Sequence, residues 1–401
     1  MEKIIRHKRS IAAIFNLIIG VILASAVYLQ IRENGSLAVV NLGLSCEEKK
    51  CVVYNTENSE IKYAFGSGLT KPSKLPVPQP VERSQGSIAG TSLTNYMQIE
   101  AWIYPGPPAC TAVSELKVRK VHTVKVEYLS LTDSGHLSTL TESNYGCNGY
   151  SASNAAILKA YSKEQYVTIS GERSGMSRMV SNSALMNSFV NQVVSFIVKN
   201  GMTGVDIDFE QFSSWTQSDY TGFKKMITSL GTELHKKGKK LQIDLPAIPD
   251  SSTQSHYRLK YEDFNSLPVD QYTIMAYDYQ YDYGAGSAIQ PTKWLGSVID
   301  YAKKKFKVPS KISIGIPAYG YSGVCNSGNI SILTYSQLKN LSGFSSAKRD
   351  PASYEMKWKS GSTCYSFSDS TSLNRKLDVI RSKGIYQVSV WHLGGNLWFT
   401  N

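Results

Sequence analysis

The chain of 401 residues lacks the short motifs of several common catalytic and binding classes. No two cysteines have the CxxC spacing of zinc and redox sites, and the six histidines form no HExxH or HxH arrangement. There is no GxSxG elbow of a serine hydrolase and no basic-aromatic pattern of nucleic-acid binding. The sequence therefore predicts neither a metal site nor a nucleic-acid partner.

Charged residues are also scarce, at 18% of the chain, whereas hydrophobic residues make up 42%. This composition allows a large buried core and argues against a disordered or fibrous protein. The length fits one large domain or two to three ordinary ones. The surplus of 43 Lys+Arg over 31 Asp+Glu, a net charge of +12, favours anionic surfaces or polymers as neighbours and carries no information on the fold.

The N-terminus is typical of an exported protein. Basic residues precede the apolar run Ile11–Leu29, which is long enough to cross a bilayer as a helix. The same run fits a cleavable signal peptide, because Ala24-Ser25-Ala26 has the small-x-small cleavage pattern. We expect residues 1–30 to be a signal peptide or a signal-anchor helix, with a buried core helix as the less favoured alternative. The rest of the chain would be secreted, or anchored in the membrane and displayed outside the cytoplasm.

The cysteines agree with export, because an even number in an exported chain indicates disulfides. Six cysteines allow 15 pairings, and the shortest loops give one prediction. It consists of the pairs Cys46–Cys51, Cys110–Cys147 and Cys325–Cys364.

The composition divides the rest of the chain into three parts. Residues 31–64 contain two β-like runs and predict a small hairpin module. Residues 65–95 are rich in Pro, Gly and Ser and predict a linker. From residue 96 onwards, strand and helix patterns alternate to the end, interrupted by a Ser-rich insertion at about 321–370 that we expect to be a loop.

Eight short apolar runs in this last part predict the strands of a parallel sheet. They are Met97–Tyr104, Thr123–Leu131, Tyr166–Ser170, Val205–Phe209, Leu241–Pro246, Gln271–Tyr277, Ile312–Ala318 and Ile385–Trp391. Amphipathic stretches between them predict the helices Ser183–Asn200, Tyr220–Lys237, Thr292–Phe306 and Leu373–Lys383. Eight such units over about 300 residues fit an α/β fold of the (β/α)8 TIM barrel type, which we expect to be monomeric. A doubly wound open sheet is the alternative, but no GxGxxG follows the first strand.

The fourth run carries a row of acids, Gly204-Val-Asp-Ile-Asp-Phe-Glu210. In a strand, Asp206, Asp208 and Glu210 share one face, at roughly 6–7 Å from one to the next. Burial and mutual repulsion raise carboxyl pKa values, so such a row retains at least one proton. A carboxylic acid beside a carboxylate is the pairing that cleavage of a glycosidic bond requires. A solvated edge strand or a cation-binding loop is the less favoured alternative.

This segment resembles the D-G-x-D-x-D-x-E signature on the fourth barrel strand of glycoside hydrolase family 18, the chitinase family. Further segments resemble motifs of that family in the same order. They are Thr168-Ile-Ser-Gly171, Met275-Ala-Tyr-Asp278, Gly315-Ile-Pro-Ala-Tyr-Gly320 and Val390-Trp391. The resemblance covers about residues 97–401.

The resemblance implies substrate-assisted retaining hydrolysis next to N-acetylglucosamine, without metal or cofactor. Glu210 would protonate the glycosidic oxygen, Asp208 would orient the 2-acetamido group of the substrate, and Asp206 would hold Asp208. Further side chains would bind the sugar, with Trp391 as its floor. They are Tyr277, Asp278, Met275 and Trp391, and Trp102 is a candidate for a further subsite.

The match has departures at Thr203, where the family usually has Asp or Asn, and at Thr168 and Ser170 in the third strand. They motivate the alternative of a non-catalytic saccharide-binding lectin, against which the retained Glu210 argues. Chitin oligosaccharides are the first expected substrate, and bacterial peptidoglycan is the second because the basic chain suits an anionic wall.

Overall fold

The computed structural model describes residues 27–33, 36–47, 50–55, 61–65, 97–106 and 109–400. The chain divides into two compact units, Met1–Ala89 and Gly90–Asn401. Within the described residues, no helix combines the length and the apolar character needed to cross a membrane.

The first unit contains a four-stranded antiparallel sheet with its strands in chain order. They are β1 (Val27–Glu33), β2 (Ser36–Glu47), β3 (Lys50–Asn55) and β4 (Ile61–Phe65). The register of β2 and β3 places Cys46 opposite Cys51, although their side chains fall outside the described part. Residues 27–30, the end of the predicted signal or anchor segment, lie in β1. The rest of that segment and residues 66–95 of the predicted linker also fall outside the described part.

The described residues of the second unit contain fourteen strands, eight of which form a parallel barrel. In chain order the strands are β5 (Gln98–Ile103), β6 (Thr123–Leu131), β7 (Leu137–Thr139), β8 (Glu164–Gly171), β9 (Gly204–Asp208), β10 (Lys240–Pro246), β11 (Gln271–Met275), β12 (Ile312–Pro317), β13 (Gly320–Val324), β14 (Ile330–Leu333), β15 (Lys348–Arg349), β16 (Met356–Ser360), β17 (Thr363–Phe367) and β18 (Gln387–Trp391). Strand β5 pairs with both β6 and β18, which closes the ring. The closed ring confirms the predicted (β/α)8 barrel and rules out the open sheet.

Helices surround the barrel. They are α1 (Thr111–Val118), α2 (Glu142–Tyr145), α3 (Ala152–Tyr161), α4 (Arg173–Ser181), α5 (Ser183–Lys199), α6 (Gln217–His235), α7 (Ser251–Gln254), α8 (Tyr279–Tyr283), α9 (Thr292–Lys305), α10 (Tyr335–Leu338) and α11 (Ser370–Ser382). The four predicted helices correspond to α5, α6, α9 and α11, with ends that differ by at most three residues.

Helix α6 shows why the sequence begins and holds a helix at this place. A capping box joins Thr216 and Asp219 at its first turn, which satisfies backbone N–H groups that have no partner within the helix. Phe223, Ile227 and Leu230 recur at helical spacing and are fully buried in the main hydrophobic core. The amphipathic pattern therefore fixes which face of α6 packs against the barrel.

The segment between β6 and β8 has no regular helical pattern in sequence because much of it is not helical. Strand β7 turns back against β6 in antiparallel fashion before the short helix α2. The disulfide Cys110–Cys147 covalently links this segment to the start of α1 and confirms one of the predicted pairs.

The predicted loop at 321–370 is instead a five-stranded antiparallel sheet in the order β14-β13-β17-β16-β15. The sheet has its own small core of Leu338, Trp358 and Phe367. Trp358 also stacks on Tyr365 with ring centroids 4.2 Å apart. The disulfide Cys325–Cys364, another predicted pair, ties the end of β13 to β17. The aromatic contacts bury apolar area and the disulfide restricts the unfolded chain, so both stabilise the sheet in this Ser-rich stretch.

Candidate active site

The acid row lies on β9 as the alternation predicts. Val205 and Ile207 join the main hydrophobic core, whereas Asp206 is fully buried among polar groups. Its carboxylate accepts hydrogen bonds from Trp102 Nε1 at 3.2 Å and from Lys125 Nζ at 3.1 Å. Thr168 Oγ1 donates a third, at 3.0 Å. Three other barrel strands therefore fix the position of Asp206.

Asp208 lies at the carboxyl end of β9 with less support. Its Oδ1 atom is buried and accepts no hydrogen bond from the described residues. Burial raises its pKa well above the ordinary range, and the negative charges of Glu210, Asp244 and Asp206 raise it further. Asp208 is therefore a carboxyl group that readily holds a proton.

Glu210 follows β9 at the mouth of the barrel. The indole of Trp215 donates to its backbone carbonyl at 2.9 Å. Protein atoms crowd its carboxyl group, yet more than a third of the residue's surface is open to solvent. Burial raises its pKa to about 7, helped by the charges of Asp278, Glu172 and Glu127. Glu210 can therefore donate a proton near neutral pH to a molecule that enters the cleft.

Tyr277 follows β11 and faces the same acids. Its phenol has a pKa well above the ordinary value because it is buried and because Asp244, Asp208 and Glu210 are near. The hydroxyl group therefore stays protonated and available as a hydrogen-bond donor. Met275, the last residue of β11, is half-buried beside it.

Asp278 adopts the left-handed backbone conformation, with φ of 67°, which Asp tolerates better than most residues. Its Oδ1 accepts hydrogen bonds from Tyr319 and, at 3.0 Å, from Gln280 Nε2. Burial raises the pKa of this carboxyl group, although those hydrogen bonds lower it in part. The sequence analysis identified Asp278 but not the two side chains that hold it.

A buried ion pair anchors the segment that carries Tyr277 and Asp278. Glu355 in the inserted sheet accepts hydrogen bonds from the backbone N–H groups of Ile289 and Gln290, at 2.8 and 2.9 Å. Lys376 of α11 donates to the same carboxylate at 2.8 Å. The side chain of Gln290 in turn donates to the carbonyl of Gly315 at 2.8 Å. The insertion therefore positions one wall of the cleft.

The two predicted tryptophans take different places. Trp391, the last residue of β18, is half-buried and packs against Tyr104 with centroids 5.4 Å apart. Trp102 is 1% exposed and meets the edge of Trp391 at 5.7 Å. Its ring offers no free face, and its N–H is used by Asp206. Trp102 therefore supports the acid row, and the expectation that it contacts substrate is corrected.

The departures from the family pattern have local explanations. Thr203 precedes β9 at the amino end of the barrel, where its Oγ1 accepts from the backbone N–H of Gln165 at 3.0 Å. This is the end opposite Glu210. Thr168 donates to Asp206, and Ser170 donates to Glu127. All three side chains have partners, and none removes a member of the acid row.

The sequence analysis missed four charged residues of the barrel interior: Glu100, Lys125, Glu127 and Asp244. A signal for them exists, since each is a charged side chain within an otherwise apolar strand, as in the run of alternating acids on β9. Lys125 and Asp244 are buried beside Asp206, and Glu127 lies near Glu210. One or two charges within a strand form a weaker pattern than three.

Metal ligation has no support in the described part of the chain, where no group of three or more His, Cys, Asp or Glu side chains could hold an ion. His392 beside Trp391 is buried, and burial lowers its pKa to about 4. It is therefore neutral at ordinary pH.

A closed (β/α)8 barrel with buried and half-buried acids at the carboxyl end of its fourth strand defines the class of barrel glycoside hydrolases. The chain belongs to glycosyl hydrolases family 18, whose sequence profile matches residues 100–396. This match confirms the resemblance seen in the sequence.

Individual relatives are distant. The uncharacterized glycosylase YvbX of Bacillus subtilis (strain 168) is 28% identical over 196 residues, which are 48% of this chain and 54% of that protein. The cortical fragment-lytic enzyme of Bacillus anthracis is 24% identical over 233 residues, 54% of this chain and 52% of that protein. The chain thus spans about half the length of the curated relatives it matches.

Solved structures share the fold. A chitinase from Chromobacterium violaceum ATCC 12472 has a TM-score of 0.62 at 19% identity, over 75% of this chain and 95% of its own. The Bacillus cereus spore cortex-lytic enzyme SleL has a TM-score of 0.63 at 18% identity, over 77% of this chain and 73% of its own.

Proposed function

We propose that the chain is a retaining glycosidase that hydrolyses β-1,4 linkages next to N-acetylglucosamine. The observation that carries this proposal is the state of Glu210. Its pKa of about 7 leaves it partly protonated at neutral pH, and the residue is exposed to solvent two positions beyond Asp208. Glycosidic bond cleavage needs a proton donor of this kind.

The reaction proceeds in two steps. Glu210 gives its proton to the glycosidic oxygen, the carbonyl oxygen of the substrate's 2-acetamido group attacks C1, and the bond from C1 to the leaving oxygen breaks. Asp208 stabilises the positive charge of the resulting oxazolinium ring. Water then adds to C1, Glu210 takes one of its protons, and the ring opens with retention of configuration.

The other predicted side chains bind the sugar. The protonated hydroxyl of Tyr277 donates to the acetamido carbonyl, while Met275 and Asp278 line the same pocket. Trp391 provides the aromatic floor, because an aromatic face packs against the apolar face of a sugar ring.

Two substrates follow from different observations. The family favours chitin oligosaccharides as the first choice. Peptidoglycan-type glycan is the second, supported by the basic chain and by relatives named as cortical fragment-lytic and spore cortex-lytic enzymes. The disulfides Cys110–Cys147 and Cys325–Cys364 support action outside the cytoplasm. The protein would act as a monomer, secreted or attached to a membrane by residues 1–30.

The test is product release from N-acetylglucosamine oligomers and from peptidoglycan fragments by the full chain. Glu210→Gln keeps the shape of the side chain but cannot donate the proton, so we expect kcat to fall by about 100-fold or more. Glu233→Gln is the matched control, since it removes a carboxylate that pairs with Lys236 and leaves the acid and its neighbours in place.

The lectin alternative gives a different result in the same experiment. Saturable binding of the oligomers with no turnover on either substrate would support it. Equal turnover in the wild type and in Glu210→Gln would exclude Glu210 as the acid.

A further inference from the structure

A layer of buried charge lies beneath the acid row. Lys125 is fully buried, and its Nζ lies 3.1 Å from Asp206 Oδ1, 3.5 Å from Glu100 Oε2 and 3.6 Å from Asp244 Oδ1. It also donates to Thr273 Oγ1 at 2.8 Å. The three carboxyl groups come from β5, β9 and β10, and each residue is at most 3% exposed.

These three carboxyl groups differ in their hydrogen bonds. Both oxygens of Asp206 accept hydrogen bonds, from three donors in all. Glu100 Oε2 accepts from Gln271 Nε2 at 2.8 Å and from Ser389 Oγ at 2.7 Å. Neither oxygen of Asp244 accepts a hydrogen bond from any described residue, although both are buried. Of the three carboxyl groups, Asp244 is therefore the one whose ionised form is stabilised least by its surroundings.

The balance of charges around Lys125 also disfavours an ionised Asp244. One ammonium group cannot compensate three carboxylates in the barrel interior, where an unpaired charge is costly. Donors stabilise the ionised form of a carboxyl group, so the group without donors retains its proton. We infer that Asp244 is held as the neutral carboxylic acid and that Lys125 and Asp244 are positioning residues which keep Asp206 an anion.

The groups around Asp244 agree with this assignment. Asp206 and Asp208 face it from β9, Lys125 from β6 and Tyr277 from the segment after β11. Burial raises the pKa of Asp244 well above its ordinary value, and the neighbouring carboxylate of Asp206 raises it further. The charge of Lys125 and the nearby hydroxyl of Thr273 oppose the change only in part.

The assignment deepens the proposed mechanism and rests on it. Because three donors hold its two oxygens, Asp206 is a poorer acceptor for a proton from Asp208 than Glu210 is. The proton of the acid row is then exchanged between Asp208 and Glu210, so that Asp206 acts as a fixed negative charge under the oxazolinium ring.

The test replaces the neutral acid by its nearest neutral analogue. In the full chain, Asp244→Asn should keep kcat within about threefold of wild type, with KM and the pH profile unchanged. Asp206→Asn is the contrast, because it removes the fixed charge, and kcat should fall by about 100-fold. Lys125→Met should also lower kcat without changing KM, because Asp206 would then take up a proton.

Infrared spectroscopy detects a protonated carboxyl group directly and does not require the protein to turn over a substrate. At about two pH units above the pKa of Glu210, which is about 7, the Asp208→Asn variant should show a carboxylic acid C=O band that is missing when Asp244→Asn is added to it. An unchanged band, or a folded Asp244→Asn as inactive as Asp206→Asn, overturns the inference. If Asp244→Asn does not fold, the band is sought in the Asp208→Asn, Glu210→Gln double variant, where persistence supports the inference and absence overturns it. If the protein turns over no glycan, the proposed function fails, but the infrared experiment still tests whether Asp244 is protonated.

Discussion

Burial raises the proton affinity of Glu210, and the carboxylates around it raise it further. Since only the protonated form can act as the acid, activity should fall as pH rises through about 7. Glu127 raises this pKa by its negative charge, so Glu127→Gln should shift the alkaline limb of the kcat/KM profile to lower pH by about half a unit. The measurement is the pH profile of both proteins on one oligomer.

Glu233→Gln is the control for this shift, because Glu233 pairs with Lys236 at the other end of α6. Its alkaline limb should coincide with that of the wild type. A Glu127→Gln profile that also coincides would contradict the electrostatic account of the acid.

Single residues were predictable where the sequence repeats a pattern. Asp206, Asp208 and Glu210 alternate with apolar residues in one strand, so their shared face follows from strand geometry. Lys125 and Asp244 come from strands that are far apart in sequence and meet only when the barrel closes. No local spacing predicts that pair.

The start of helix α6 is stabilised by a carboxylate with several donors. Burial opposes the ionisation of Asp219, but hydrogen bonds from Ser177, Thr216 and Arg173 lower its pKa to about 2. A lowered folded-state pKa means that the ion stabilises the fold above about pH 4, and that this stabilisation is lost as pH falls towards 2. Asp219→Ala should therefore lower the free energy of unfolding by about 1–2 kcal/mol at pH 7, and by less at pH 3.

Denaturant unfolding at the two pH values checks this expectation. Gln217→Ala, an exposed change in the same turn, should alter the free energy of unfolding by less than about 0.5 kcal/mol at either pH. If Asp219→Ala lowers the free energy of unfolding equally at both pH values, the charge of Asp219 is not the stabilising feature.

Among whole elements, long amphipathic helices such as α5 and α6 were predictable because their apolar faces repeat over several turns. The inserted sheet was not predictable in this way. Its strands have two to five residues, and its stability depends on contacts such as Trp358 on Tyr365 and on the Cys325–Cys364 disulfide. Such contacts join residues that a periodicity argument treats independently.

At the scale of the molecule, one end of the barrel in the second unit is rich in basic side chains. The loops that lead from helices into strands lie at the amino ends of the parallel strands, opposite Glu210. These loops and the helix turns before them contain Lys117, Arg119, Lys120, Lys159, Lys163, Lys199, Lys236, Lys237, Lys239, Lys303, Lys304, Lys305, Lys307, Lys311, Arg381 and Lys383. Carboxylates in the same segments, such as Glu233 and Asp270, are fewer. The carboxyl end, in contrast, gathers the acids of the cleft.

This polarity predicts how salt affects the reaction. Attraction between the basic end and an anionic wall glycan keeps the protein on the wall, with the opposite end, which carries Glu210, free to meet a glycan chain. A short neutral oligomer is not attracted in this way. The rate on the anionic glycan should fall as the Debye length shrinks from about 30 Å at 0.01 M to about 3 Å at 1 M salt, while the rate on the oligomer changes little. Reversing three exposed charges, Lys237→Glu with Lys304→Glu and Lys307→Glu, should remove most of the salt dependence.

The matched control is Lys359→Glu, an exposed reversal in strand β16 of the inserted sheet, which should leave the salt dependence intact. If both variants respond to salt as the wild type does, the basic end does not recruit the glycan. The rate on the neutral oligomer depends on the acid row alone, whereas the rate on the wall glycan depends also on attraction to the polymer. Comparing the two rates therefore separates that attraction from the chemistry at Glu210.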